Sequence, residues 1–254
     1  MNVWKLEWLR LVRTRRLLVL FAVFMIFGFV GPLTARYLPE ILGNSAGDSN
    51  IKVTVESKPT PADGFREYMS NISQLGLLAV VIIAAYSLAV DAKTSLSIFY
   101  RTRVAKTVDL LFPRLTVVTL AAVCAFVVGT FTAWYETTAL LGHVATKDVL
   151  VGGLYLCVYW VFCTATVAIA ASLVRSVLAV AGLSLGFLLL YPIAGSVKSL
   201  KHWWPSALTS SLTGILSNQH DAAYYYKPMM VTIGVIIVFL GVALLRIGTR
   251  EVES

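Results

Sequence analysis

Six stretches of this chain are apolar over roughly the 20 residues that a helix needs to cross a bilayer core, and none of them contains a charged side chain. They run over 17–35, 72–90, 115–134, 150–171, 177–197 and 229–245. Backbone in hydrocarbon must satisfy its own hydrogen bonds, so each stretch is predicted to be a helix. Composition points the same way: 58% of the residues are hydrophobic and 13% charged, with a mean hydropathy of +0.79, whereas a water-facing domain keeps about a quarter of its residues charged. The expectation is an all-α integral membrane protein, one transmembrane domain over 1–254 with six spans. The first span follows a long basic stretch and is expected to stay in place rather than be removed as a signal.

An even number of spans puts both termini on one side. Of the 21 Lys and Arg residues, thirteen fall on that terminal side and eight in the longer loops opposite. Positive charge concentrates on the cytoplasmic side of short loops, so both termini are predicted to be cytoplasmic. The net charge of +8 sits beside apolar segments rather than on a separate basic domain, which favours lipid headgroups over nucleic acid as the counter-charge.

Outside the spans, three segments carry pattern. In residues 1–16, Trp4, Trp8, Leu11 and Val12 share one helical face, while Lys5, Arg10, Arg13, Arg15 and Arg16 provide the charge. This segment is predicted to be an amphipathic helix at the membrane interface, ahead of the first span. Residues 36–71 are expected to be a polar external loop, with room for a short strand where Ile51, Val53 and Val55 alternate. Residues 198–227 contain Trp203, Trp204, Leu208, Leu212, Ile215 and Leu216 and are too apolar for a solvated loop. Short helices re-entering the outer leaflet before the last span are expected there.

Motifs for covalent chemistry are lacking. Cys124, Cys157 and Cys163 lie in apolar runs, and His143, His202 and His220 fall in loops with no HExxH spacing. GxxxxGK[ST] does not occur, so no ATP site of Walker type is expected, and the one GxSxG match, GLSLG over 182–186, lies inside an apolar span and not at a strand-to-helix turn, so no enzyme active site is expected. No cofactor or metal is expected on the chain itself. Gly182 and Gly186 form a GxxxG pair suited to close helix approach, either within the chain, slightly favoured, or in a dimer. Pro192 is expected to kink or end the fifth span near its outer end. Tyr155, Tyr159, Trp160 and Phe162 in the fourth span are read first as packing and second as a route for an amphipathic substrate. Trp134, Tyr135, Trp203, Trp204 and Tyr224 to Tyr226 are expected in an outer aromatic belt.

Segment 91–114, DAKTSLSIFYRTRVAKTVDLLFPR, is basic and able to form a short helix. Together with EWLRLVRTRR before the first span, AWYETTALLG at the far end of the third, WWPSAL after the fifth and the closing TRE, it resembles the permease subunits of type-2 ATP-binding cassette exporters, especially actinobacterial ones. The resemblance implies that residues 1–16 form an elbow helix and that Phe99, Tyr100, Arg101, Arg103 and Lys106 belong to a coupling helix that docks on a separate cytoplasmic ATPase. It further implies a second permease copy or homologue, ATP and Mg on the partner only, and the bacterial plasma membrane. Where many members carry Glu followed by Gly-Thr after the second span, this chain has Asp91, Ala92, Lys93 and Thr94. A stand-alone carrier or channel is the alternative, and a membrane-bound enzyme a third class.

Overall fold

The computed structural model of the protein describes residues 3–45, 59–89, 108–195 and 203–249, and among these there are helices and turns but no strands. Six helices are long and apolar enough to cross a membrane: Arg16–Leu38, Pro61–Leu88, Leu111–Leu140, Thr146–Leu173, Val177–Ala194 and Ala222–Arg246. The chain begins with α1 (Val3–Arg13), turns at Thr14 and Arg15, and enters α2 (Arg16–Ser45). The second span is α3 (Pro61–Asn71), a π-helical turn over Ile72–Gly76, and α4 (Leu77–Leu88). The third to fifth spans lie in α5 (Val108–Leu140), α6 (Thr146–Leu173) and α7 (Val177–Ala194). Two 3-10 turns, Pro205–Ser210 and Ala222–Tyr225, flank α8 (Ser211–Leu216) and lead into α9 (Tyr226–Thr249).

The second span begins eleven residues before the apolar run does. Pro61 pre-sets the first turn of α3, and the Thr60 N–H donates to Asp63 Oδ2 at 2.9 Å, satisfying a backbone donor that the helix leaves open. Phe65, Tyr68, Met69 and Ile72 then bury one stripe while Arg66 and Ser70 face outward. Hence 61–71 is not polar loop, and 36–45 is the continuation of α2; positions 51, 53 and 55 lie outside the described residues. The third span likewise starts earlier than predicted, at Leu111, so Arg114 belongs to a spanning helix instead of a loop.

α6 is the centre of the bundle. It packs on α4, α5, α7, α8 and α9, and 72% of its most apolar window is buried, against 28%, 22% and 22% for the first, fifth and sixth spans. Its aromatic residues explain why. Trp160 meets Phe24 of α2 edge to face at 5.2 Å, and Phe162 lies 5.3 Å from Tyr191 of α7. Tyr155 reaches across to donate its hydroxyl to the Ala222 carbonyl at 2.8 Å. Packing therefore accounts for Tyr159, Trp160 and Phe162, all of them buried.

Elsewhere the fold depends on close backbone approach. A methyl group on Gly31 would come within 2.7 Å of the Tyr68 nitrogen, so α2 and α3 touch through main chain. α7 ends two residues after Pro192, as a proline in the last turn requires. Beyond it the 205–225 segment folds into the short helices anticipated from its apolar residues, with Leu208, Leu212 and Ile215 buried, chiefly against α6.

Candidate functional site

At the end of the bundle that carries the N-terminus, four helices converge on one carboxylate. Glu7 lies one turn before Leu11 on the buried face of α1, and both are almost wholly enclosed. Arg114, in the first turns of α5, donates from Nε to Glu7 Oε1 at 2.8 Å. Their side chains are 3% and 6% exposed, which makes this ion pair unlike Arg36–Glu40 or Arg66–Asp63, whose partners face solvent. Arg10 Nη1 approaches the other oxygen of Glu7 at 3.7 Å. Arg16 from α2 and Ser87 from α4 line the same narrow cleft, whose free volume is about 10 Å³.

The local sequence explains the arrangement. Two residues after Trp8, α1 turns its charged edge to the bundle through Arg10, and Trp4 rests edge-on against Phe112 with ring centroids 6.0 Å apart. Thr14 Oγ1 donates back to the Arg10 carbonyl at 2.8 Å, and Arg15 takes a left-handed conformation with φ of 56° that reverses the chain. Arg16 then starts α2 and lays its guanidinium 4.3 Å from the ring centroid of Tyr86. Of the residues assigned to the N-terminal helix from sequence, Trp4, Trp8 and Leu11 belong to α1; Arg15 and Arg16 form the turn and the start of the next helix. Trp4 and Trp8 are exposed and Leu11 is buried, so the three do not share one environment.

Sequence reading overlooked Glu7 and Arg114. One signal was available: Glu7 is the single acidic residue among five basic ones in the first sixteen, and an isolated carboxylate in such company invites a search for its partner.

The segment that bears Phe99, Tyr100, Arg101, Arg103 and Lys106 lies outside the described residues, between Ala89 at the end of the second span and Val108 at the start of α5. Its two described flanks both touch the Glu7 cleft, through Ser87 and Arg114. No family model, curated protein or solved structure matches this chain. Geometry must therefore carry the functional argument.

Among the described residues, Gly182 and Gly186 make no intrachain crossing. A methyl group on either would meet no atom of the chain within 4 Å, among the described residues. They sit on the outward side of α7, where Leu178, Leu189, Leu190 and Ile193 are each more than half exposed. Trp203, Tyr135 and Tyr226 are exposed near the opposite end of the bundle, whereas Trp204 stacks on Tyr191 at 4.9 Å and Tyr225 is buried. His143 and His220 are exposed, and no metal-holding cluster of His, Cys, Asp or Glu occurs among the described residues.

Proposed function

We propose that the chain is the membrane-spanning permease subunit of an ATP-binding cassette exporter, forming the substrate path and driven by a separate cytoplasmic ATPase. The observation that carries this reading is the buried Glu7–Arg114 pair. It ties α1 to the base of the third span, directly after the segment that the resemblance assigns to ATPase docking. Removing one partner of a buried pair leaves an uncompensated charge, typically at about 3–5 kcal/mol, so the pair opposes separation of α1 from α5. A push delivered to 91–107 would reach α5 through the chain, α1 through Glu7, and α2 through Arg16 and the Arg15 turn. A ligand shifts a conformational equilibrium only by binding its states unequally. ATP on the partner would act by favouring one position of this linked base.

On this reading the terminal side is cytoplasmic and α1 rests in the headgroup layer, with Trp4 and Trp8 toward lipid. The weakly buried first, fifth and sixth spans supply the surface for a second permease copy, and Gly182 and Gly186 lie on that surface. The substrate would pass between the two copies.

The test is purification of the tagged chain from its native membrane in mild detergent, with identification of what accompanies it. A stoichiometric Walker-motif ATPase is the expected result. An intact, monodisperse chain that reproducibly comes alone and transports unaided would replace this reading with a stand-alone carrier or channel.

A further inference from the structure

At the end of the bundle remote from Glu7, the 205–225 segment closes over the tip of α7 to leave a cavity of about 540 Å³, within the range of about 300–1,000 Å³ that small-molecule sites occupy. We infer that this cavity binds a neutral, hydroxyl-rich ligand, a sugar unit. The inference is independent of the ATP-driven reading, since it concerns only the cap and its wall.

The polar groups of the wall point to the ligand class. Ser210 Oγ donates to the Ala207 carbonyl at 2.9 Å, Thr213 Oγ1 to the Ser210 carbonyl at 3.2 Å, and the Tyr225 hydroxyl to the same carbonyl at 3.2 Å. All three residues line the cavity, and each hydroxyl has committed its only proton to backbone. What these three retain is lone pairs, while the hydroxyl of Ser206, on the same lining, can donate as well as accept. Gln219 and His220, on the turn after α8, add an amide and an imidazole that both donate and accept, and Tyr224, its ring 4.2 Å from that of His220, adds an aromatic face. A sugar has both functions on every hydroxyl, and its C–H groups suit the electron-rich face of a ring.

Other classes fit less well. The described residues of the wall include no Asp, Glu, Lys or Arg, and so offer no charged partner to an anion or a metal ion. An apolar ligand would strand the hydroxyl oxygens without donors. The sugar can arrive free from water or as the headgroup of a lipid. Leu189, Leu190 and Ile193, each more than 60% exposed, lie on α7 within a turn of Pro192 at the cavity wall, and would border the chains of such a lipid.

The experiment uses the full chain in lipid nanodiscs with two probes. Methyl β-glucoside is followed by saturation-transfer NMR, and monoglucosyl-diacylglycerol is compared with plain diacylglycerol by native mass spectrometry. Ser210→Trp, which fills the cavity from an exposed position, is expected to weaken binding at least tenfold; Thr213→Val, which keeps the volume but removes the hydroxyl, should weaken it several-fold. Binding of both probes identifies a free sugar as sufficient, and binding of the glycolipid alone identifies a lipid headgroup. The inference is overturned if neither probe binds better than its counterpart without sugar, with water as the blank for the glucoside. It is equally overturned if binding is unchanged in Thr213→Val and in a folded Ser210→Trp, or if phosphatidylglycerol displaces the glycolipid at equal concentration.

Discussion

Gly28 of the first span and Gly129 of the third meet so closely that a methyl group on Gly28 would stand 2.6 Å from the Gly129 carbonyl oxygen. The converse holds on the other helix, where a methyl on Gly129 would stand 2.7 Å from the Phe24 carbonyl oxygen. Both obstacles are backbone, which cannot rotate aside. In lipid, where apolar side chains gain little by leaving one apolar medium for another, such backbone contact is a main source of helix association.

Gly28→Ala should therefore destabilise the chain by about 1–3 kcal/mol or more, the usual penalty for overpacking. Thermal unfolding in detergent measures it. Gly153→Ala is the matched control, because a methyl there meets nothing within 4 Å, and its unfolding midpoint should stay at the wild-type value. Equal midpoints for the two variants would refute the crossing.

Glu7→Gln and Arg114→Gln should each lower stability by about 3–5 kcal/mol, the range for a buried charge that loses its partner. The double variant Glu7→Gln/Arg114→Gln should recover part of that loss, since it leaves no buried charge. A double-mutant cycle on unfolding free energies reads the coupling directly. Additive losses would mean that the two residues act separately, and the mechanical link from α1 to α5 would go with them.

Replacing Gly182 and Gly186 together by Leu should change unfolding of the isolated chain by no more than about 0.5 kcal/mol, as expected at positions without neighbours. The same variant should lose two-copy assembly, seen by mass photometry in nanodiscs. A variant that unfolds, or that keeps its assembly, would remove these glycines from the interface.

Reversing charge at Arg101 and Arg103 should reduce co-purification of the ATPase by tenfold or more without changing expression or melting temperature. Undiminished association would place the docking contacts elsewhere on the chain.

The six spans were legible because length and apolarity suffice to identify them, and the burial of Leu208, Leu212 and Ile215 was legible because these residues are too apolar to stay in water. The start of the second span was not. In PADGFREYMSN the charges of Asp63, Arg66 and Glu67 depress the hydropathy of any window, although Phe65, Tyr68 and Met69 form a buried stripe at helical spacing. The Glu7–Arg114 pair was hidden for a different reason. Its members are 107 residues apart, and nothing in one chain announces which distant arginine a carboxylate will meet. For the glycines the difficulty was one of spacing: GxxxG drew attention to Gly182 and Gly186, which face outward, while Gly28 and Gly129 make their close contact from separate helices and outside any such motif.

The π-helical turn at Ile72–Gly76 sets the two halves of the second span out of phase. An unbroken α-helix that buries Phe65, Met69 and Ile72 would next centre its burial on positions near 76, 79, 83 and 86, yet Tyr86 is exposed and Ala79 only partly buried, and burial extends to Leu77, Val80, Val81, Ala84 and Leu88 on the neighbouring face. The extra residue advances the buried stripe by one position, or about 100° at 3.6 residues per turn. The span thus behaves as a shaft with two cams: α3 is keyed to α2 and α5, and α4 is keyed to α6 and α7 as well. Deleting one residue within 72–76 would bring the cams into line and turn Tyr86, with the arginine stacked on it, away from its present bearing.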